Sequence, residues 1–152
     1  MAQSYESIFD AMMLYRSLVE RDVFTVREGL TKQQETVIVG IALCEPISSG
    51  KLANYLSLPP QNVSRNVIDL EAQGLVTREA DPKNRRQVIL TLSEKGRQFI
   101  SVHRSKAHDK LDESLSVLGD DERALLVDAS RVAANLLRKT LEKSFRASRG
   151  IS

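Results

Sequence analysis

Between Pro60 and Gly74 the chain carries Gln61, Asn62, Ser64, Arg65 and Asn66, and a little further on Lys83, Arg85 and Arg86 fall within four residues. These side chains are hydrogen-bonding amides, hydroxyls and fixed cations, with no nucleophile set beside a base. Amides and guanidinium groups spaced along one helix complement the donors and acceptors of base edges, while clustered cations complement phosphates. The chemistry they offer is recognition. No G-x-x-x-x-G-K-[ST] loop, G-x-S-x-G elbow or H-E-x-x-H pair occurs anywhere in the chain, and Gly50-Lys51 lacks the glycine loop that would make it half of a nucleotide site. No catalytic residue, cofactor or metal site is expected.

The elements that must position these groups are legible from punctuation and period. Pro60 suits the first helical position, where its missing N–H has no partner, and Gly74 suits the left-handed position after a helix end. Between them Val63, Val67 and Leu70 recur at helical spacing. At about 100° per residue, Gln61, Arg65 and Asp69 project opposite that apolar face, with Asn62 and Asn66 on its flank. After Gly74 the period becomes alternating: Val88, Leu90 and Leu92 predict one strand, and Leu75 to Glu79 its antiparallel partner. The loop from Asp81 to Arg86 closes the hairpin, and Ser93 is placed to cap the next helix.

Upstream, Thr31-Lys32-Gln33-Gln34 matches a capping box, and Val37, Ile38, Ile41 and Ala42 line the inner side of the helix it begins. Glu45-Pro46 stops that helix. Ser48 then caps a short helix containing Leu52, Ala53 and Leu56, and the turn at Ser57-Leu58-Pro59 leads into the helix of Arg65. Ser48, Ser49 and Lys51 stand near a helix N-terminus that can hold a phosphate; a plain capping role for either serine is the equal alternative.

The run NVSRNVIDLEAQGLVTREADPKNRR followed by LTLSEKG resembles the MarR family of bacterial winged-helix regulators. That resemblance implies a mostly α fold, a winged helix-turn-helix with a two-stranded wing and an N- and C-terminal helical dimerisation region. It implies a homodimer on double-stranded DNA with a pseudo-palindromic operator, commonly a repressor released by a small aromatic or phenolic effector. On these positions Gln61, Asn62, Arg65 and Asn66 are expected at base edges, Ser64 and Ser48 at phosphates, and Lys83, Arg85 and Arg86 in the wing contacts. One departure stands out: the family's wing carries Asp just before the paired basic residues, where this chain has Asn84, and Asp81 is the carboxylate available to replace it.

Composition agrees with a helical chain. Only 5% of its 152 residues are aromatic, so the interior falls to Leu, Val, Ile and Ala. With 22 cations against 20 anions the net charge of +2 argues nothing by itself; distribution does. Positive charge collects in the wing and again at Arg138, Lys139, Lys143, Arg146 and Arg149, against the single acid Glu142. A lone cysteine, Cys44, suits a reducing cytoplasm, no secretory signal pattern opens the chain, and no apolar run nears the roughly 20 residues that span a bilayer.

Tyr5, Ile8, Phe9, Met12, Tyr15 and Val19 form one helical stripe, and Leu125, Ala129, Val132, Leu136 with Leu126, Ala133, Leu137, Leu141 form two adjacent rows after a break at Gly119-Asp120. From Ser93 one long helix is expected to run to about Val117. The expected organisation is one compact domain: a dimerisation helix over 1–30, a DNA-binding lobe over 31–100 and dimerisation helices over 101–152.

Weaker signals receive plainer readings. Cys44 follows Ile41 and Leu43 on a mostly buried helix, where a thiol stays protonated and inert. His108 and Asp112 have ligand spacing, but two ligands do not make a site, and with His103 they read as a solvent-facing helix. Two other functions remain open: a winged-helix module that binds an acidic protein, and a constitutive DNA binder without an effector.

Overall fold

The computed structural model describes residues 2–23 and 29–147. Helix α2 (Lys32–Cys44) begins with the reciprocal cap, Gln34 N donating to Thr31 Oγ1 at 3.2 Å and Thr31 N to Gln34 Oε1 at 3.0 Å. Its Val37, Ile38 and Ile41 are wholly buried. Helix α3 (Ser49–Leu56) ends on Ser57 in the left-handed region, a bend that turns the chain into helix α4 (Pro60–Ala72). Val63, Val67 and Leu70 of α4 join Leu52 and Ala53 of α3 in the same apolar cluster. Burying a side chain of this size stabilises by about 1.5 to 3 kcal/mol, which holds the three helices in register.

The sheet is larger than the alternating pattern predicts. Strands β2 (Val76–Asp81) and β3 (Asn84–Leu92) pair antiparallel, with Val76 opposite Leu92 and Arg78 opposite Leu90, and an irregularity between Ala80 and Asp81. The strands therefore reach into the expected loop and leave only Pro82 and Lys83 between them, but within it only Asp81 and Asn84 are paired with each other. A third strand, β1 (Ile47–Ser48), pairs with β3 through Ile47 and Leu90, giving the order β1-β3-β2. Two residues are too short a run to show alternation, so the sequence carries no sign of it.

Two contacts fix how the wing meets the next helix. Glu45, at the end of α2, accepts Leu92 N at 2.7 Å and pairs with Arg97, tying α2, β3 and helix α5 (Glu94–Ser114) at one carboxylate. Ser93 caps α5, accepting from Gly96 N at 2.9 Å and donating to Gly74 O at 2.5 Å. Gly96 lies against the backbone: a Cβ there would stand 2.0 Å from the Leu75 carbonyl oxygen. His103 departs from the solvent-facing expectation. It is 3% exposed, stacked on Phe99 with ring centroids 6.1 Å apart, because the side of α5 bearing Ile100, His103 and Ala107 is the buried side.

The chain divides into two compact units, Met1–Ser114 and Leu115–Ser152. In the first, helix α1 (Ala2–Leu18) continues as one π-helical turn (Val19–Val23), where Arg21 donates to Ser114 Oγ at 3.2 Å. Tyr5, Ile8, Phe9 and Met12 are exposed on α1. In the second, a short 3-10 turn precedes helix α6 (Asp120–Ala147), on which Leu125, Val132, Leu136, Leu137 and Leu141 are exposed. Thus α5 ends at Ser114, before the expected limit. No described helix is long and apolar enough to cross a membrane.

Candidate nucleic-acid interface

Helix α4 buries one side and leaves Gln61, Ser64, Arg65, Ile68 and Asp69 exposed along the other. That face follows from the period: positions 61, 65 and 68 are separated by four and three residues, so their side chains line one strip. Ile68, 51% exposed, is a member that reasoning from residue type passed over. Its helical phase was the available signal. An apolar group on such a strip can meet a thymine methyl.

Asn66, expected at a base edge, does not lie on this exposed strip. It is 7% exposed, and its Nδ2 donates to Asn62 O at 2.7 Å and to Gln33 Oε1 at 3.5 Å. The start of α2 covers the flank that a helical wheel leaves open, so Asn66 braces the helix from behind. Asn62 is half-buried beside it. Ser48 also turns inward: it is 6% exposed and its Oγ accepts Lys51 N at 3.4 Å, which makes it the cap of α3 and withdraws it from solvent.

The wing brings its charges out. Lys83, Arg85 and Arg86 are exposed, and among the described residues none of them, nor Arg65, has an acidic partner. Nearby acids are engaged elsewhere: Glu71 with Arg78 at 3.1 Å and Asp69 with Gln34 Nε2 at 3.4 Å. Asp81 Oδ1 accepts Lys83 N at 2.8 Å, and Asn84 Oδ1 accepts Arg86 N at 3.3 Å. Each side chain thus closes a local turn on a backbone donor two residues on. Of the basic tail, the side chains of Lys143, Arg146 and Arg149 lie outside the described residues.

A helix with a polar outward strip, preceded by a supporting helix and followed by a cationic hairpin, is the geometry of a winged helix-turn-helix. Residues 28–87, which take in α2, α3, α4 and the tip of the hairpin, match the family model of MarR. Over these residues the chain is similar to the MarR family.

The chain is 30% identical over 98 residues to an uncharacterised helix-turn-helix-type transcriptional regulator of Mycobacterium leprae, a match covering 64% of this chain and 66% of that one. It spans slightly less than two thirds of the curated relatives it matches first. Among solved structures, a MarR transcriptional regulator from Methanosarcina mazei superposes with a TM-score of 0.69 at 20% identity, over 89% of this chain and 99% of the other. The crystal structure of MarR superposes with a TM-score of 0.61 at 25% identity, over 90% and 98%. These MarR-type structures share the helical winged fold seen here.

Other chemistry is sparse. Among the described residues no three His, Cys, Asp or Glu side chains gather as a metal site. Cys44, half-buried at the end of α2, forms no disulfide. Burial lowers the His103 imidazole below its usual value of 6.5.

Proposed function

We propose that this protein is a MarR-family, sequence-specific DNA-binding transcriptional regulator that works in the cytoplasm as a homodimeric repressor. The observation that carries the reading is the set of cations without acidic partners among the described residues: Arg65 on the outward strip of α4, and Lys83, Arg85 and Arg86 on the wing. Surface ion pairs are worth only about 0 to 1 kcal/mol, so stability gives little reason to concentrate exposed cations here. Phosphates and base edges do. Gln61 and Arg65 meet base edges, Ser64 a phosphate, and the wing cations the flanking backbone and minor groove. Asn62 reaches a base edge only from the rim of the strip.

The dimer is supported by apolar side chains that each unit leaves uncovered, among them Tyr5 at 69%, Phe9 at 63% and Leu125 at 70% exposure. Contiguous exposed apolar surface of this kind marks an interaction site. In this reading the regions 1–30 and 101–152 hold two copies together, and the lobe 31–100 of each copy meets a half-site. A two-fold axis then sets the recognition helices about 34 to 36 Å apart on a pseudo-palindrome.

Release by a small aromatic acid or phenol is the regulatory part of the proposal. It draws support from a cleft of about 250 Å³ within the first unit, where Ala42, Leu92 and Ile100 meet the Glu45–Arg97 pair, Ser101 and Arg104. A ligand acts there only if it prefers a geometry in which the helices miss the half-site spacing. Selection of bound sequences from random duplex DNA tests the whole reading: enrichment of a palindrome is expected, with affinity falling steeply as salt rises. A protein that binds no duplex preferentially, or sediments as a monomer at binding concentrations, is not this regulator.

A further inference from the structure

We infer that Ile68 reads a thymine in each half-site, its side chain meeting the C5 methyl group in the major groove; the inference rests on the DNA-binding reading above. Ile68 is 51% exposed and is, among the described residues, the one large apolar side chain at the surface of α4. A lone exposed aliphatic group is ordinary on a protein surface. Its place on the helix is not: it follows Ser64 by four residues and Arg65 by three, one turn further along the strip that begins at Gln61. Helix formation gives no reason for it, since a β-branched side chain loses rotamer freedom that Glu, Gln or Lys would keep at an exposed helical position.

The major groove supplies one apolar partner for such a group. Base edges there present acceptors, amino donors and the C5 methyl group of thymine. Ile68 has neither donor nor acceptor on its side chain, so against guanine or adenine it would cover N7 and the polar group beside it without replacing their hydrogen bonds to water. Against thymine, methyl meets methyl, and apolar surface leaves water on both sides. The length of the strip fits a separate contact: at 1.5 Å per residue Ile68 stands about 10 Å beyond Gln61 along α4, about three base-pair steps, which lets the two side chains address different pairs.

The test uses the full chain and the duplex recovered by selection, with uracil replacing thymine at one position at a time in both half-sites, and fluorescence anisotropy as readout. Uracil differs from thymine only by the missing methyl group, so base pairing is unchanged. At one thymine of the half-site, wild type is expected to lose about four-fold in affinity per half-site, the worth of one buried methyl group. Ile68→Ala, a change at an exposed position to a better helix former, is expected to bring the thymine to uracil ratio at that position to about one and to leave the ratios elsewhere as in wild type. The ratio within each variant cancels any general change in affinity. No thymine whose methyl group matters to wild type, or an Ile68→Ala variant that keeps every wild-type ratio, overturns the inference while leaving the DNA-binding reading intact; the second result would assign Ile68 to another partner, such as an apolar protein surface. Failure to enrich any duplex overturns both.

Discussion

Glu71 accepts a hydrogen bond from Arg78 Nη1 at 3.1 Å, so one of the two acids that follow Arg65 along α4 is already matched with strand β2. Both side chains are more than a third exposed, and the pair adds little stability. The other, Asp69, accepts from Gln34 Nε2 at 3.4 Å, and Arg65 has no acidic partner among the described residues.

Removing that cation separates specificity from general attraction. Arg65→Ala should cost about 1 to 3 kcal/mol on the preferred duplex and relax specificity, whereas Arg86→Ala should weaken binding to most sequences and reduce the salt slope by about one unit. Anisotropy titrations on specific and random duplexes across a salt series measure both. Equal losses on both duplexes for the two variants would remove the division of labour.

Asn66 should behave as a brace. Replacing its buried amide by Ala removes its hydrogen bonds to Gln33 Oε1 and Asn62 O, at a cost of about 1 to 3 kcal/mol in unfolding free energy. Urea melts read that loss, while the base preference of the folded fraction stays as in wild type. A changed preference at unchanged stability would put Asn66 back among the reading residues.

Gly96→Ala should be among the most destabilising single substitutions in the lobe. The added methyl would overlap the Leu75 carbonyl oxygen, which is backbone and cannot rotate away. A loss of at least about 3 kcal/mol is expected, at the upper end of overpacking costs, and thermal unfolding of the variant measures it. Near-wild-type stability would mean that α5 does not approach Leu75 this closely.

Burial holds His103 below 6.5, so the unfolded chain binds a proton that the folded chain refuses. Stability from this source is therefore complete above the unfolded value and declines as pH falls through it. Urea midpoints measured between about pH 8 and 5 should drop on the acid side, and His103→Leu should flatten that drop. An unchanged slope in the variant would assign it to other groups.

What the sequence by itself determined was local. Pro60, Gly74 and the spacing of Val63, Val67 and Leu70 delimit and orient α4, because caps and apolar period act within one element; the outward Arg65 follows directly. The wing and its cations are legible for the same reason. Tertiary structure decided what a single element cannot encode, namely which neighbour covers each flank. The start of α2 buries Asn66, the buried side of α5 takes in His103, and pairing with β3 creates the two-residue strand β1. Gly96 belongs with them: its necessity lies in the distance to Leu75 of another segment, which no pattern around position 96 records.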